Sequence, residues 1–346
     1  MKATPPGPAL PSLRVLTLRC PHCAASLVAA SESLRCDGCA RSFRIHAGIP
    51  DLRVFPDPYL SEQEDGERTE KVLEALDRLS LPELLRYYWS LSDITPPHLR
   101  KQFTESALAG EEKARRLLSL LATGFRRPVE ARRVLEIGSG TGGFLAVASS
   151  QFEEVVGVDV AMRWLHLSRR RFRDLGIAAP PLLCCGGESL PFPDARFDLV
   201  VLTATLEFTR DPARVLAEAG RVLAPGGALF LNTVNRYSIA PEPHVNLWGV
   251  GFLPRPWQDP YVRWRRHVSF KNIRPLSYRE LRHLASPHFA SCEVLLADIP
   301  DAVLAGLPQT KRAQVRFYRF LKRLPPFALF LRWFGPEWDV KLQRAH

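Results

Sequence analysis

The chain has 346 residues, 46% of them hydrophobic and 24% charged, which is enough apolar side chain for a sizeable core and excludes a disordered or fibrous protein. Lys and Arg outnumber Asp and Glu by 47 to 36, for a net charge of +11. Such an excess suits a polyanion or an anionic surface, but 39 of the 47 basic residues are Arg and no dense basic tail occurs, so a compositional bias toward Arg explains it without a binding site.

The length predicts two domains, or one with additions. The start, Met1 to Leu18, has no continuous apolar stretch, and no run of eighteen apolar residues occurs anywhere. The expectation is a soluble, cytoplasmic chain without a secretory signal or transmembrane segment. Seven cysteines fit that expectation. Four are bunched at positions 20 to 39, Cys184 and Cys185 are adjacent and Cys292 is alone, unlike a secreted disulfide framework.

The first segment, residues 1–55, holds the four clustered cysteines and short alternating runs such as Ser42-Phe43-Arg44-Ile45 that predict strands. Cys20-Pro-His-Cys23 and Cys36-Asp-Gly-Cys39 are two C-x2-C knuckles separated by twelve residues. Each knuckle aims two thiolates at one point, and two knuckles close a tetrahedron around Zn²⁺. A redox dithiol and an iron site are the competing readings. With four protein ligands a zinc there is structural, with no open position for catalysis. From Cys20 through Phe43 to Gly48-Ile49-Pro50-Asp51-Leu52 the segment resembles the zinc ribbons attached to many bacterial methyltransferases.

Residues 56–125 read as a helical connector or cap, with apolar positions at Val72, Leu73, Leu76 and Leu79 and again at Leu117, Leu118 and Leu121. From residue 126 onward, short apolar runs alternate with amphipathic stretches. Val134–Ile137, Val155–Val160, Pro181–Cys185, Phe197–Leu202 and Ala228–Val234 predict strands, and Phe144–Ser150, Met162–Leu175 and Pro212–Leu223 predict helices. That alternation is the pattern of an α/β fold with a doubly wound parallel sheet. Residues after Asn235 are less regular and rich in Trp, Arg and Pro.

Val134-Leu-Glu-Ile-Gly138-Ser-Gly140-Thr-Gly142-Gly143 places a glycine-rich turn between an apolar strand and a helix, where the backbone can approach a ligand closely. Gly138, Gly140 and Gly143 also satisfy the dinucleotide pattern G-x-G-x-x-G. Two acids tilt the choice. Glu136 at the strand end is useful near an ammonium group and unhelpful near a pyrophosphate. Asp159 closes the next strand, where an acid can accept from both ribose hydroxyls. A nucleoside carrying an amino acid therefore fits better than a dinucleotide.

Over Arg133 to Ser238 the chain resembles the class I S-adenosylmethionine-dependent methyltransferases of type 11. Glu136-Ile-Gly-Ser-Gly-Thr-Gly142 resembles the family's first motif, Leu190-Pro-Phe-Pro-Asp-Ala-Arg-Phe-Asp-Leu-Val200 the stretch into the fourth strand, and Arg221-Val-Leu-Ala-Pro-Gly-Gly-Ala-Leu229 the turn before the fifth. The resemblance implies a Rossmann-like fold and S-adenosylmethionine as cofactor. It further implies that Glu136, Gly138, Gly140, Gly142, Asp159, Val160, Glu188 and Thr203 bind the cofactor, with Val160 and Met162 along the adenine and Thr203 to Leu206 near the methyl group. One position departs. The family often has an acid two residues before Glu188 that bonds the adenine amino group, whereas this chain has Gly186. Either Glu188 or backbone groups take over, or affinity is reduced.

Acceptor-side residues should follow the strands. Glu207 and His244 are the candidate general bases, the latter in an insertion over about 236–290. The aromatic and basic stretches Trp257 to Phe270 and Phe317 to Trp338 could stack bases, form an acceptor lid or touch a membrane surface. The reading is methyl transfer to a small-molecule, lipid-like or glycan-like acceptor, with peripheral membrane contact as a further expectation. An RNA methyltransferase is the alternative, not favoured because the Asn-Pro-Pro-Tyr type of tetrapeptide is absent after Leu202. A non-catalytic scaffold is the outsider.

Overall fold

The computed structural model describes residues 16–92, 95–123, 125, 129–296, 304 and 309–345. Most of the start, Met1 to Leu18, and the boundary at residue 126 lie outside the described residues.

Four short antiparallel strands open the described chain: β1 (Leu27–Ala29), β2 (Ser33–Cys36), β3 (Ser42–His46) and β4 (Ile49–Pro50). Four helices follow, α1 (Glu62–Leu76), α2 (Leu81–Ser90), α3 (Pro97–Leu108) and α4 (Gly110–Thr123). Ser61 with Glu64 and Ser80 with Glu83 close reciprocal capping boxes at the starts of α1 and α2, satisfying backbone donors that a helix end leaves open. The prolines of this region start helices and do not break them: Pro82 lies in the first turn of α2 and Pro97 begins α3.

The central sheet is built from β5 (Arg133–Ile137), β6 (Glu154–Asp159), β7 (Leu182–Cys184), β8 (Phe197–Thr203) and β9 (Leu223–Val234), all parallel, with α5 (Gly143–Ala148), α6 (Met162–Asp174) and α7 (Pro212–Val222) as crossovers. Beyond them come α8 (Arg255–Arg266), α9 (Tyr278–Ala285), β10 (Ser291–Leu296), α10 (Gln309–Lys322), α11 (Pro325–Phe334) and β11 (Glu337–Gln343). The strand order is β10-β11-β9-β8-β5-β6-β7, with β11 antiparallel to both neighbours. This is the doubly wound sheet expected from the sequence, with an antiparallel pair at one edge. That order reverses between β5 and β8, the switch point where open α/β sheets bind ligands.

Both faces of the sheet are covered, so its strands are apolar at successive positions. Leu135, Ile137, Val156, Val158, Leu183, Val200 and Leu202 point to one layer, with α7 and α9. Val134, Val155, Leu182, Leu199 and Val201 point to the other, with α4, α5 and α6. Leu34, Cys36, Phe43 and Leu52 of the N-terminal segment belong to the first layer, so the four-cysteine segment shares the sheet's core. Its tail also lengthens the sheet: Asp51 bridges Cys184 in parallel and the Leu52 N–H donates to Cys184 O at 2.7 Å.

Helices α4 and α5 cross so closely that a Cβ on Gly143 would lie 2.6 Å from the Gly110 Cα and 2.7 Å from its carbonyl carbon. Both contacts are backbone, so neither can swing aside. Gly143→Ala is therefore expected to cost about 1–3 kcal/mol by overpacking. Gly66→Ala, on the exposed face of α1 with open space around it, should gain about 0.5–1 kcal/mol through helix propensity. Thermal melting of the two variants checks this, and shifts of equal sign would contradict the crossing.

Candidate active site

At the end of β5 the chain turns through Gly138, Gly140 and Gly142, all with positive φ. Gly138 is required for a second reason: a methyl group there would sit 2.3 Å from Thr205 Oγ1. The residues just past β8 thus lie directly over the turn, and Thr203, the last residue of β8, accepts from the Thr205 hydroxyl at 2.9 Å. The backbone N–H groups of Gly138 and Ser139 donate to Val158 O at 2.8 and 3.0 Å.

Asp159, at the end of β6, locks this turn. Its Oδ2 accepts from the Gly140 N–H at 2.8 Å and its Oδ1 from the Ala161 N–H at 2.9 Å. Each oxygen keeps acceptor capacity for a ligand hydroxyl. Burial pushes its carboxyl up to about 6, against the pull of those N–H groups and of Arg163. Glu136 is buried, and burial together with Asp159 holds its carboxyl well above the usual range. Glu136 Oε2 and Ser139 Oγ are buried without a hydrogen-bond partner. Buried polar atoms are seldom left so; Ser139 Oγ lies against Gly157 of β6, and Glu136 is close enough to Asp159 to feel its charge, which fits a cradle for a polar ligand beside the glycine turn.

Val160 O accepts from Arg53 at 3.3 Å and Met162 is buried at the start of α6. Glu188 lies against Gly186. A Cβ on Gly186 would lie 2.8 Å from Glu188 Oε2, so the Glu188 carboxylate fills the space where a side chain at 186 would begin. Its other oxygen accepts from the Arg210 N–H at 3.0 Å.

Beyond β8 and β9 the structure brings the two candidate bases together. His244 Nε2 lies 3.9 Å from Glu207 Oε1, and His244 Nδ1 lies 2.5 Å from Glu242 Oε1. Glu207 is fully buried; its Oε2 accepts from Thr233 Oγ1 at 2.9 Å and its Oε1 has no hydrogen-bond partner. Burial raises the Glu207 carboxyl, and His244 pulls it partly back. For His244, burial opposes charging but Glu242 and Glu207 outweigh it, raising the imidazole above 6.5. The Phe208 ring meets that imidazole edge-on at 4.7 Å. Beside Glu242 a small recess, with room for about one water molecule, is bordered by Asn235, Ser238, Val250 and Phe270.

Sequence reasoning missed Tyr59, Arg53, Arg163 and Glu242. Tyr59 packs on Phe208 with ring centres 6.0 Å apart, donates to Asn272 O at 2.9 Å, and is pushed up by burial and by Asp57 and Glu207. Arg163 pairs with Asp57 at 2.7 Å and Asp65 at 2.5 Å, and Arg53 with Asp51 at 2.5 Å and Asp65 at 2.6 Å. Only Glu242 carried a local signal, two residues before a candidate histidine.

The cysteine cluster stands in the N-terminal segment, its four Sγ atoms within 4.8 Å of one another. Cys20 Sγ is 3.7 Å from Cys39 Sγ and Cys23 Sγ 3.4 Å from Cys36 Sγ. These are near the roughly 3.8 Å edge of a tetrahedron with Zn–S bonds of about 2.3 Å. The N–H groups of Gly38 and Cys39 donate to Cys36 Sγ at 3.3 and 3.4 Å, the outer support that thiolate ligands ordinarily receive. The donor set therefore fits zinc. This knuckle is also tied to the residues after Glu188: Ser189 Oγ donates to Pro21 O at 2.8 Å and Arg19 N to Pro191 O at 3.0 Å.

The family model for a methyltransferase domain matches residues 135–231. A Burkholderia mallei ubiquinone/menaquinone biosynthesis C-methyltransferase is 36% identical over 129 residues, 36% of this chain and 51% of that protein. An uncharacterized protein of Methanocaldococcus jannaschii is 34% identical over 113 residues, 33% of this chain and 50% of that one. The chain thus spans about half the length of these relatives. Among solved structures, a SAM-dependent methyltransferase from Thermotoga maritima is 27% identical with a TM-score of 0.38, covering 57% of this chain and 82% of that one.

Elemental analysis of the purified chain is expected to find about one zinc per molecule. Because Cys36 shares a core with the sheet, chelation or Cys36→Ala should lower the melting temperature of the whole protein. No bound metal and an unchanged melt would remove the metal centre.

Proposed function

We propose that this chain, which carries a methyltransferase domain over residues 135–231, transfers a methyl group from S-adenosylmethionine to a small, lipid-like or glycan-like acceptor. The carrying observation is the Asp159 carboxylate clamped to the Gly140 N–H beside the unpartnered Glu136 Oε2 and Ser139 Oγ, at the switch point of the sheet. Asp159 would hold the ribose hydroxyls, Glu136 would face the ligand's ammonium group across the glycine turn, and Glu188 would take over at the adenine from the acid that Gly186 lacks. Val160 and Met162 would flank the base, and Thr203 would border the methyl group.

When bound, the cofactor supplies an activated methyl group on a sulfonium together with its leaving group. The chain's own task is alignment and proton management. Glu242 fixes the Nδ1–H tautomer of His244, leaving Nε2 to take a proton from an acceptor O–H or N–H. The buried Glu207 carboxylate would then stabilise the imidazolium, as a carboxylate does for histidine bases elsewhere. The zinc ribbon would be structural. Its bonds to the segment after Glu188 support a role in fixing that segment.

Titration calorimetry with S-adenosylhomocysteine tests the cofactor site. Wild type should bind, and Asp159→Asn should bind about tenfold more weakly or worse, as expected for a lost charged acceptor. The sign of the pH effect follows from a carboxyl raised from 3.8 to about 6. Its ionised, accepting form is present above that value, so affinity should be full near pH 7.5 and fall as pH drops through about 6. For the unliganded fold the same shift acts oppositely: it favours the protonated carboxyl, so its contribution to stability is largest below pH 3.8 and is lost as pH rises through about 6. Equal binding by both proteins would end the assignment.

For the base, carbon-13 NMR of labelled histidine should find His244 titrating above 6.5 in wild type. It should titrate lower in Glu242→Gln, because Glu242 is the chief group raising it. An unmoved titration would sever the Glu242 to His244 link.

A further inference from the structure

The region after β9 leaves many large apolar side chains in water. Trp264 is 70%, Trp257 68% and Phe317 63% exposed, and Phe320, Leu329 and Phe330 are exposed with them. A soluble surface of this size needs few such residues, and contiguous ones mark contact sites.

Two of them, Phe330 and Trp264, are joined by a chain of contacts. The Phe330 and Phe334 rings are 5.0 Å apart, and Phe334 O accepts from the Ile239 N–H at 2.9 Å. Ile239 O accepts from Trp248 Nε1 at 3.1 Å, and the Trp248 ring is 6.2 Å from Phe252. Trp248 O accepts from the Tyr261 hydroxyl at 3.3 Å, and the Tyr261 ring is 6.3 Å from Trp264. The line therefore runs from α11 through residues 239–252 to α8.

The charge along it has one sign at one end. Between Gln309 and Phe334 there are seven Lys and Arg and no Asp or Glu. On α8 four Arg stand against the single Asp259. Arg316, Arg323 and Arg332 are exposed beside the apolar residues, and Arg265 lies over the Trp264 ring at 5.3 Å. Cationic heads alternating with aromatic and aliphatic side chains suit a surface that is anionic outside and apolar beneath. Single-stranded nucleic acid is served less well. Leu329 and Ile239 have no ring face for a base to stack on, and α11 offers one Arg in ten residues.

We propose that the face made by α8, residues 239–252 and α10–α11 docks on the surface of an anionic phospholipid bilayer. No helix among the described residues is long and apolar enough to cross a membrane, so these helices would lie in the plane of the headgroups. The face borders the acceptor side. Asn235 Nδ2 donates to Trp333 O and Gly335 O, both at 2.8 Å, and Asn235 lines the recess together with Glu242, the partner of His244. Docking would turn that recess toward the lipid. The inference stands apart from methyl transfer, because adsorption needs neither cofactor nor acceptor.

Vesicle flotation of the full chain tests it, with phosphatidylcholine alone and with about 30% phosphatidylglycerol added. Binding to the anionic vesicles should exceed binding to neutral ones about tenfold or more and weaken as salt rises. Phe317→Ser with Phe320→Ser, and separately Trp264→Ser, should each reduce it several-fold at an unchanged melting temperature. Arg316→Glu with Arg323→Glu should remove the preference for anionic lipid. Failure to float with anionic vesicles, or full binding by the folded apolar variants, overturns the proposal. So does a fluorescent RNA homopolymer that binds through the same residues while vesicles do not.

Discussion

The buried ion network around Arg163 is the constraint on which the rest of the molecule depends. Arg163 stands in the first turn of α6, directly after the strand that ends in Asp159, and is itself buried. Its guanidinium gathers Asp57 from the segment before α1, Asp65 from α1 and the hydroxyl of Tyr88 from α2. Arg53 extends the network to Asp51, which bridges the edge strand β7. Removing one member would leave an uncompensated buried charge, a loss of about 3–5 kcal/mol in comparable pairs. The network thus ties the N-terminal segment, α1 and α2 to the sheet. Arg163 also moderates the charge on Asp159, so the network that ties these elements together also sets the electrostatics beside the glycine turn.

The acceptor side has a comparable dependence on a distant element. His244 is placed by a loop with little regular structure, and that loop is fastened at both ends. Asn235 is bonded to the carbonyls that close α11. Gly251 passes so near Arg236 that a Cβ would lie 1.5 Å from the Arg236 carbonyl oxygen. Glu242 then holds His244 through both its backbone N–H and its ring. The connector contributes as well: Asn272 Nδ2 donates to Pro58 O at 2.5 Å, and Tyr59 packs on Phe208. The general-base candidates are therefore held from three parts of the chain, which is how a loop site acquires the fixed geometry that proton transfer needs.

Much of this was legible in the sequence where a local rule operates. The strands from Val134 to Val234 are apolar at successive positions because both faces are covered, and the helices between them carry the complementary stripe. The glycine turn, Asp159 and the two cysteine knuckles are visible because their spacing is itself the chemistry. Less was visible where partners are remote. β11 reads as Glu-Trp-Asp-Val-Lys-Leu-Gln, too charged to suggest an inner strand, yet Asp339 and Lys341 are buried. They are tolerated because Arg116 and Asn232 meet Asp339 at 3.2 and 2.9 Å and Glu293 lies 3.7 Å from Lys341. Likewise Arg163 looks like any other arginine in an arginine-rich chain. Its burial depends on Asp57 and Asp65, far away in sequence, a relation no short window of residues contains.

Position 186 illustrates how a local departure and a neighbouring side chain are linked in space. A Cβ there would lie 2.8 Å from Glu188 Oε2, so the two positions make one exchange of space: the small residue makes room for the carboxylate of the larger one. The exchange is tied to the ribbon, since Ser189 and Pro191 are bonded to Pro21 and Arg19, and to α7, since the Leu190 N–H donates to Glu218 at 2.8 Å. Returning an acid to position 186 would set two carboxylates in one buried space, where like charges cannot both ionise cheaply. The glycine is thus a consequence of where Glu188 is held, and the anchors on the ribbon and on α7 are what hold it there.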